Sequence, residues 1–468
     1  MSGSPIHVVG GGLAGSECAF QLGRRGLPVV LHEMRPERPT PAHKTGALAE
    51  LVCSNSLRSD DPEHAAGLLK REMEAFGSVV IASARDAAVP AGSALAVDRE
   101  RFAERVSERV LSLPTVELAR EEVTDLPPGD VVIATGPLTS DALARRLGDL
   151  LGSEWLYFYD AIAPIVDAES LDRSKLFAQS RYGKGGADYL NAPFTKEEYL
   201  AFHRALVEAE VLPLHDFERA LFFEGCLPIE EIARRGEDTL RFGPMKPVGL
   251  TAPDGSRPYA VAQLRQEDLA KSHYNLVGFQ SRLKWPEQRR VFRTIPGLEG
   301  AELVRYGQIH RNTFVNSPTH LDKHYRIRAE PRVRLAGQLT GVEGYLESAA
   351  TGLAIALYLA FERRQGRGPE SAEGGGRAEP AAGPEPFPAT TGLGSLARHL
   401  TESDPRHFQP ANVNYGLFEE LPGKVKKRER RGAYAARARR ELLEWAERHG
   451  VEADPSVFEA EHPAAVGA

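Results

Sequence analysis

The chain has 468 residues, of which 42% are hydrophobic and 26% are charged. This composition is typical of globular proteins and excludes wholesale disorder and fibrous architectures. Its 58 basic and 65 acidic residues give a net charge of −7, so the overall charge does not predict general nucleic-acid binding, although it is compatible with a local basic patch. No apolar stretch approaches the roughly 20 residues that span a bilayer, and the N-terminus carries no export signal. We therefore expect a cytoplasmic protein with no membrane span.

The first 33 residues predict a strand, a glycine-rich loop, a helix and a second strand. Apolar runs at 6–9 and 28–33 flank the pattern G-x-G-x-x-G, and an acidic residue closes the second strand. In this pattern the glycines permit a tight turn, the approach of a pyrophosphate and close helix–strand packing, while the acid accepts a ribose hydroxyl. The alternative is a glycine-rich turn without a ligand. The residues predicted to bind a dinucleotide are Gly10, Gly11, Gly12, Leu13, Ala14, Gly15 and Glu33.

Two later strands also end in glycine, at 131–136 and 333–337. A flavin dinucleotide passes several strand ends, so this recurrence favours FAD over NAD as the bound cofactor. The further residues predicted to contact FAD are Thr135, Gly136, Gly337, Gln338 and Thr340. Since there is no second G-x-G-x-x-G, a nicotinamide hydride donor is expected to dock transiently at a place that the sequence does not locate.

These patterns predict an α/β fold with a Rossmann-like, glutathione-reductase-like FAD-binding domain that is interrupted by an α+β insertion domain. The FAD-binding domain is assigned to 1–150 and 330–450 and the insertion domain to 151–329, where aromatic residues and arginine are enriched. Helices are expected over 195–210, 344–361 and 432–449. The Gly-, Pro- and Ala-rich stretch 366–388 is predicted to be a flexible loop, and 451–468 a loose tail.

Three cysteines are too few and too widely spaced for a disulfide framework or a zinc site, so no metal site is predicted. Cys18 lies on the apolar face of the first helix and is interpreted as a buried core residue. Cys53 and Cys226 lie in polar or glycine-containing segments typical of ordered loops. For these two thiols, a functional and a structural role remain equally open at this point.

Several long stretches carry a specific resemblance. They include GGGLAGSE, ELVCSNSLRS, FEGCLPIEEIARRGEDTLRF, SRLKWPEQRRVFRTIPGL and GQLTGVEGYLESAATGL. With these motifs the sequence closely resembles the folate- and FAD-dependent tRNA (uracil-5-)-methyltransferase family, TrmFO, also called Gid. The match covers most of the chain outside 366–388 and the two ends. The EGC and KWPEQRRVF motifs favour this family over the related MnmG-like flavoproteins, which modify the wobble uridine.

The resemblance implies methylation of C5 of the T-loop uridine at tRNA position 54. Methylenetetrahydrofolate is then the carbon donor, NAD(P)H the reductant and FAD the relay. By the family pattern, Cys226 is the nucleophile that adds to C6 of uracil, and Cys53 is a second thiol near the flavin. The target base is expected to leave the folded loop and enter a pocket.

Further candidates are weaker. His310 and Tyr345 are candidates to flank the pterin of the folate, with a structural histidine and a core aromatic as the alternatives.

The basic candidates for tRNA contact form two sets, and their alternative is a solvated helix face. These sets are Lys284, Arg289 and Arg290, and Lys424, Lys426, Lys427 and Arg428. No obligate protein partner is predicted. The rival functions are a small-molecule flavin oxidoreductase and a flavin-containing tRNA-binding protein without methylation activity.

Overall fold

The computed structural model describes residues 4–40, 42–152, 156–161, 163–183, 186–212, 227–307, 309–366 and 383–459. Within these ranges, a predominantly parallel six-stranded sheet carries the glycine-rich loop, with the strand order β16-β17-β7-β1-β2-β6. Its strands are β1 (Ile6–Val9), β2 (Val29–His32), β6 (Val116–Ala119), β7 (Val131–Ile133), β16 (Arg326–Ile327) and β17 (Glu330–Leu335). Five of them run parallel, and β16 pairs antiparallel at the edge. The carboxyl ends of β17, β7, β1 and β2 therefore lie side by side, where ligands of such sheets bind.

A second six-stranded sheet among the described residues is antiparallel and has the order β10-β11-β12-β13-β9-β14. Its strands are β9 (Ile165–Asp167), β10 (Phe177–Ala178), β11 (Tyr189–Phe194), β12 (Ala260–Gln266), β13 (His273–Leu276) and β14 (Leu303–Arg305). Two smaller sheets contain β3 (Ser56–Ser59), β4 (Ala88–Val89) and β5 (Ala94–Val97), and β8 (Leu156–Ala161) and β15 (Ile309–Phe314).

The α-helices of the described residues lie between the strands and after the last strand. They are α1 (Leu13–Gly23), α2 (Ala65–Ala75), α3 (Val79–Asp86), α4 (Arg99–Leu111), α5 (Asp141–Leu151), α6 (Lys196–Glu208), α7 (Ile229–Arg234), α8 (Thr239–Phe242), α9 (Trp285–Phe292), α10 (Ser317–His320), α11 (Tyr345–Arg364), α12 (Gly392–Glu402) and α13 (Arg430–Arg448). Helix α11 is almost entirely buried and packs against α1. The α/β fold class is thereby confirmed.

The apolar side chains form two main clusters that divide the chain. The larger cluster takes its buried residues from 6–134 and 314–451, and the second takes them from 166–301. This separation supports the proposed discontinuous FAD-binding domain with an inserted domain, whose boundaries stay a prediction.

The expected helices are present with small shifts of their ends. The helix expected over 195–210 is α6, which Thr195 caps by accepting the Glu198 N–H while the Glu198 carboxylate accepts the Thr195 N–H. This reciprocal pair is a capping box. The helix expected over 344–361 is α11, which continues to Arg364.

Parts of the two segments that were expected to be mobile pack against the fold. Of the stretch 366–388, residues 367–382 lie outside the described residues, but Phe387 is buried and its ring lies 4.0 Å from that of Trp445. Residues 451–459 of the expected loose tail also pack, since Val451 is buried and Asp454 donates its N–H to the Ala75 carbonyl at 2.8 Å. In both segments a few apolar groups and backbone hydrogen bonds offset the ordering entropy that the composition suggested.

Replacing Gly352 with alanine tests the close packing of α1 on α11. A Cβ at this position lies only 2.1 Å from the carbonyl oxygen of Ala14, so the helices must separate, and overpacking of this kind costs about 1–3 kcal/mol. We expect Gly352→Ala to lower the thermal midpoint of unfolding clearly. The control is Gly432→Ala in α13, where a Cβ would lie 3.3 Å from the flexible Glu63 carboxylate. Equal losses in the two variants would contradict this account.

Candidate functional site

The glycine-rich loop joins β1 to α1 and has the shape that a pyrophosphate site needs. Gly10 has φ +105°, and a Cβ at Gly15 lies 1.8 Å from the Gly10 carbonyl oxygen, so both positions require glycine. Gly12 caps α1, and a Cβ there meets nothing within 4 Å. The space beside the N-terminus of α1 is therefore open to an anionic group, which the helix dipole favours.

Glu33 follows β2 directly and organises this loop. Its Oε2 accepts the Gly11 N–H at 2.9 Å, and its two oxygens also bind the backbone and guanidinium N–H groups of Arg35 at 2.9–3.1 Å. Burial raises the pKa of Glu33, but the hydrogen bonds and charge of Arg35 outweigh it and lower the pKa overall. The N–H of Gly11 is thus committed to the protein. A ribose contact at Glu33 stays a prediction.

Two neighbouring cavities extend from the carboxyl ends of these strands. The smaller one, of about 70 Å³, is lined by Gly10, Gly12, Glu33, Thr135 and Leu138, among others. Leu138 also lines the larger one, of about 380 Å³. The larger volume lies within the range of small-molecule sites. An elongated ligand with a phosphate-bearing end at the small cavity can therefore reach into the large one, as a flavin dinucleotide requires.

The other predicted flavin contacts lie around this junction. Gly136 has φ +65° and open space at its Cβ, and Gly337 has φ +73°. Gln338 lines the large cavity and donates from Nε2 to Glu343 at 2.7 Å. Thr340 is fully buried, and its hydroxyl donates to the Gly337 carbonyl at 2.8 Å. Its side chain therefore closes the turn, and a flavin contact can involve only its backbone.

Cys53 lines the large cavity, and its backbone is held on both sides. Its N–H donates to the Tyr345 hydroxyl at 2.6 Å, and its carbonyl oxygen accepts from Arg99 at 2.9 Å and Arg305 at 3.4 Å. Burial, together with the neighbouring Cys53, raises the pKa of Tyr345, so the phenol stays protonated at neutral pH. Tyr345 also lines the cavity. It therefore combines structural support with a position suited to a ligand contact, and its role towards a pterin stays a prediction.

Three arginines around Cys53 were missed by the sequence reasoning. Arg99 forms an ion pair with Glu267 at 2.8 Å, and Arg265 donates to the Ser54 hydroxyl at 3.0 Å. Burial and the charge of Arg99 lower the pKa of Arg305. They lie in the further stretches 90–102, 264–298 and 305–318, which share the family resemblance. Arg265 and Arg305 are 211 and 252 residues away in the sequence from the residues that they contact, Ser54 and Cys53. No local sequence pattern could therefore show that the three arginines meet at the segment around Cys53.

Arg58 contributes a further charge at this cavity. It lies in the left-handed region with φ +67°, a strained conformation for a residue with a side chain. Its guanidinium binds the fully buried carboxylate of Glu347 at 2.6 Å. Burial raises the pKa of Glu347, although Arg58 and the Val413 N–H oppose this shift. This ion pair therefore stabilises the strained backbone at Arg58, which lines the same cavity as Cys53.

The remaining thiols and His310 have different outcomes. Cys18 is fully buried, which raises the pKa of its thiol, so its interpretation as a core residue is confirmed. Cys226 lies outside the described residues. His310 is a residue of strand β15, and its side chain lies outside the described part of the structure. The roles assigned to Cys226 and His310 stay predictions.

Both basic sets are exposed. On α9 and at its N-terminus, Lys284 pairs with Glu210 and Arg290 with Glu287, while Arg289 donates to the Tyr306 hydroxyl. The second set, Lys424, Lys426, Lys427 and Arg428, precedes α13, and Arg428 pairs with Glu429 at 3.2 Å. Contact of either set with tRNA stays a prediction.

Within the described ranges, no three His, Cys, Asp or Glu side chains are grouped so that they could hold a metal ion. In the same ranges, none of the helices has the length and apolar character needed to cross a bilayer.

The sequence is similar to known proteins along most of its length. The family model described as "Glucose inhibited division protein A" matches residues 5–366. A protein of Geobacter sulfurreducens named methylenetetrahydrofolate–tRNA-(uracil-5-)-methyltransferase TrmFO is 55% identical over 443 residues, covering 94% of this chain and 98% of that protein. A protein of the same name from Bacillus subtilis is 52% identical over 440 residues, again covering 94% and 98%.

Two crystal forms of Aquifex aeolicus GidA share the fold. They superpose with TM-scores of 0.62 and 0.64 at 16% and 15% identity, covering 95% of this chain and 75% and 77% of GidA. At this identity the similarity concerns the fold alone, a Rossmann-like flavoprotein architecture.

Neutralising Glu33 tests its ion pair with Arg35. Because the pKa of Glu33 is lowered in the folded protein, its charge stabilises the fold above the ordinary pKa of about 4.3, and this contribution is lost as the pH falls. We expect Glu33→Gln to lower the free energy of unfolding at pH 7 by about 1–3 kcal/mol, with a difference from wild type that shrinks as the pH falls below about 4.3. Urea denaturation across this pH range measures it.

The matched control is Glu37→Gln, which neutralises an exposed carboxylate four residues farther on. We expect no comparable loss at pH 7. A difference between Glu33→Gln and wild type that stays constant with pH would refute the role of the Glu33 charge.

Proposed function

The chain belongs to the TrmFO family of methylenetetrahydrofolate–tRNA-(uracil-5-)-methyltransferases, and we propose that it methylates C5 of a tRNA uracil in the large cavity lined by Cys53. One observation carries the location. Cys53, Gln338 and Tyr345, which the sequence assigned separately to thiol, flavin and folate contacts, line the same cavity. That cavity adjoins the groove of the glycine-rich loop, so a flavin, a one-carbon donor and a thiol can meet there.

The residues present fit an FAD. The open space at Gly12 and the N-terminus of α1 suit its pyrophosphate, and the space at Gly136 permits a second close approach. Gln338 and the turn that Thr340 closes would hold the isoalloxazine end. When bound, FAD supplies electrons that it takes from NAD(P)H and relays the one-carbon unit from methylenetetrahydrofolate. We propose no docking site for NAD(P)H.

The thiols supply the chemistry that uracil itself lacks. C5 of uracil is a poor nucleophile until a group adds to C6, and a thiolate does this well. By the family motif we assign this addition to Cys226. Cys53 is the second thiol, and the hydrogen bonds of Arg99, Arg305 and Tyr345 to its backbone hold it at the cavity wall. Such fixed placement is what positions a reacting group for a specific proton or group transfer.

The tRNA presents its T-loop uridine by extruding the base into the cavity. We expect the reaction in the cytoplasm, where cysteine thiols stay reduced. The alternative is a wobble-uridine-modifying flavoprotein of the MnmG-like type. The 52–55% identity to proteins named TrmFO over nearly the full chain favours the T-loop reaction.

The first experiment is incubation of the purified protein with unmodified tRNA transcript, methylene-labelled methylenetetrahydrofolate and NADH or NADPH. We expect a flavin absorption spectrum and one labelled 5-methyluridine per tRNA, located in the T-loop by nuclease mapping. Label at the wobble position, or flavin reduction without any label in tRNA, would exclude the proposed reaction.

Cysteine variants test the assignment of the thiols. We expect Cys226→Ala to abolish labelling of tRNA and Cys53→Ala to lower its rate by at least about 100-fold, while both variants keep their flavin. Cys18→Ala is the control, because Cys18 lies in the core away from the cavity, and it should keep the wild-type rate at a temperature where it is folded. Retained labelling in Cys226→Ala would overturn its role as the nucleophile.

A further inference from the structure

Trp285 is an exposed aromatic residue at an unusual place. It is the first residue of α9, and 52% of its surface is exposed. Its indole stacks on the Tyr306 ring with 5.0 Å between ring centroids and an angle of 14° between the planes. Tyr306 thus covers one face of the indole, and a large planar area is left accessible to another ring. We call the Trp285–Tyr306 pair the aromatic platform.

The platform is rigid. Gln288 is fully buried, and its side-chain amide both donates to the Gly307 carbonyl at 2.8 Å and accepts the Gly307 N–H at 2.7 Å. These bonds lock α9 to the strand segment that carries Tyr306. Arg289 adds a hydrogen bond of 2.5 Å to the Tyr306 hydroxyl. A ring that is fixed in advance loses little entropy when it binds a partner.

The platform is connected through Arg305 to the segment Val52–Cys53, which we call the thiol loop. Tyr306 directly follows Arg305, whose guanidinium donates to the carbonyl oxygens of Val52 and Cys53. The platform is thus one residue along the chain from a side chain that holds the Cys53 backbone. This position is hard to explain by stability, because an exposed indole contributes little to the core.

The charges near the platform indicate the kind of partner. Lys284, Arg289, Arg290 and Arg293 lie on or beside α9. Glu210 and Glu287 form ion pairs with two of them, and Glu208 is a third acidic group near Arg290, so the cations still outnumber the acids. Planar apolar surface bordered by excess positive charge matches single-stranded nucleic acid, which offers base faces and phosphates together. A protein partner with a hydrophobic anchor gains less from this excess charge.

We propose that the aromatic platform binds an unpaired base of the tRNA T-loop next to the extruded uridine, by stacking on Trp285. This inference rests on the proposed function for the identity of the RNA. Stacking on the platform holds the loop open and helps keep the target base in the cavity, while the cations of α9 contact the adjacent phosphates.

The test compares Trp285→Ala and Trp285→Phe with wild type in binding an unmodified tRNA transcript. Stacking on one aromatic ring predicts a loss of affinity of about 5- to 100-fold in Trp285→Ala, and Trp285→Phe should recover most of it. Because stacking releases no counterions, the slope of log K against log salt concentration should be the same in Trp285→Ala as in wild type, whereas Arg289→Ala should reduce its magnitude by about one.

A T-arm hairpin with 2-aminopurine in its loop should show fluorescence quenching with wild type but not with Trp285→Ala.

Phe242→Ala is the matched control, since it removes an aromatic side chain that is 82% exposed outside the platform. Equal affinity in Trp285→Ala and wild type, or equal losses in Trp285→Ala and Phe242→Ala, would overturn the proposal. A raised KM for the folate with unchanged tRNA affinity would also overturn it, because the platform then binds the pterin. These binding measurements do not depend on methylation. If the wild-type protein binds tRNA without methylating it, the proposed function is refuted, but the binding of a base to the platform is not.

Discussion

Two guanidinium groups meet at the carbonyl oxygen of Cys53, and the candidate site depends on this contact. Arg99 comes from the start of α4 and Arg305 from the end of β14, in the antiparallel sheet. This partly buried carbonyl is satisfied by hydrogen-bond donors that come from two structural layers at once. Tyr345, at the start of the long buried helix α11, completes the arrangement from the other side. The thiol loop is therefore contacted by residues of α4, β14 and α11, and the cavity lies where these three elements meet.

The nucleotide groove follows a related principle, because the protein satisfies its own backbone before any ligand does. Glu33 takes the Gly11 N–H and the Arg35 guanidinium, so the loop is shaped by an internal ion pair. What is left open is the space at Gly12 and the end of α1. The glycines therefore serve different purposes: Gly10 and Gly15 let the chain approach itself, and Gly12 lets something else approach the chain.

The sequence predicted what local patterns determine. The unit from β1 to Glu33, the strand before Thr135 and the helix after Gly344 follow from hydrophobic periodicity and glycine placement, because these signals lie within a few residues of one another. Arg99, Arg265 and Arg305 gave no such signal, since their partners lie far away in the sequence. Composition gave no signal for the burial of Phe387 and Val451, where single apolar side chains reach the core from segments rich in small and polar residues. Cys226 and the side chain of His310 lie outside the described residues, so the most specific inferences from the family resemblance are carried by the motifs alone.

The anchoring of Phe387 has a consequence for how this chain can change. The chain leaves α11 at Gly366 and is fixed again by Pro384, whose carbonyl contacts His324, and by Phe387, whose ring lies against Trp445. Since both attachment points are held by the fold, lengthening the chain between them costs closure entropy that grows only slowly with length. None of the described residues at these two attachment points, 364–366 and 383–388, lines either cavity. We therefore expect natural insertions, or an affinity handle or reporter domain spliced between the two points, to leave both cavities intact.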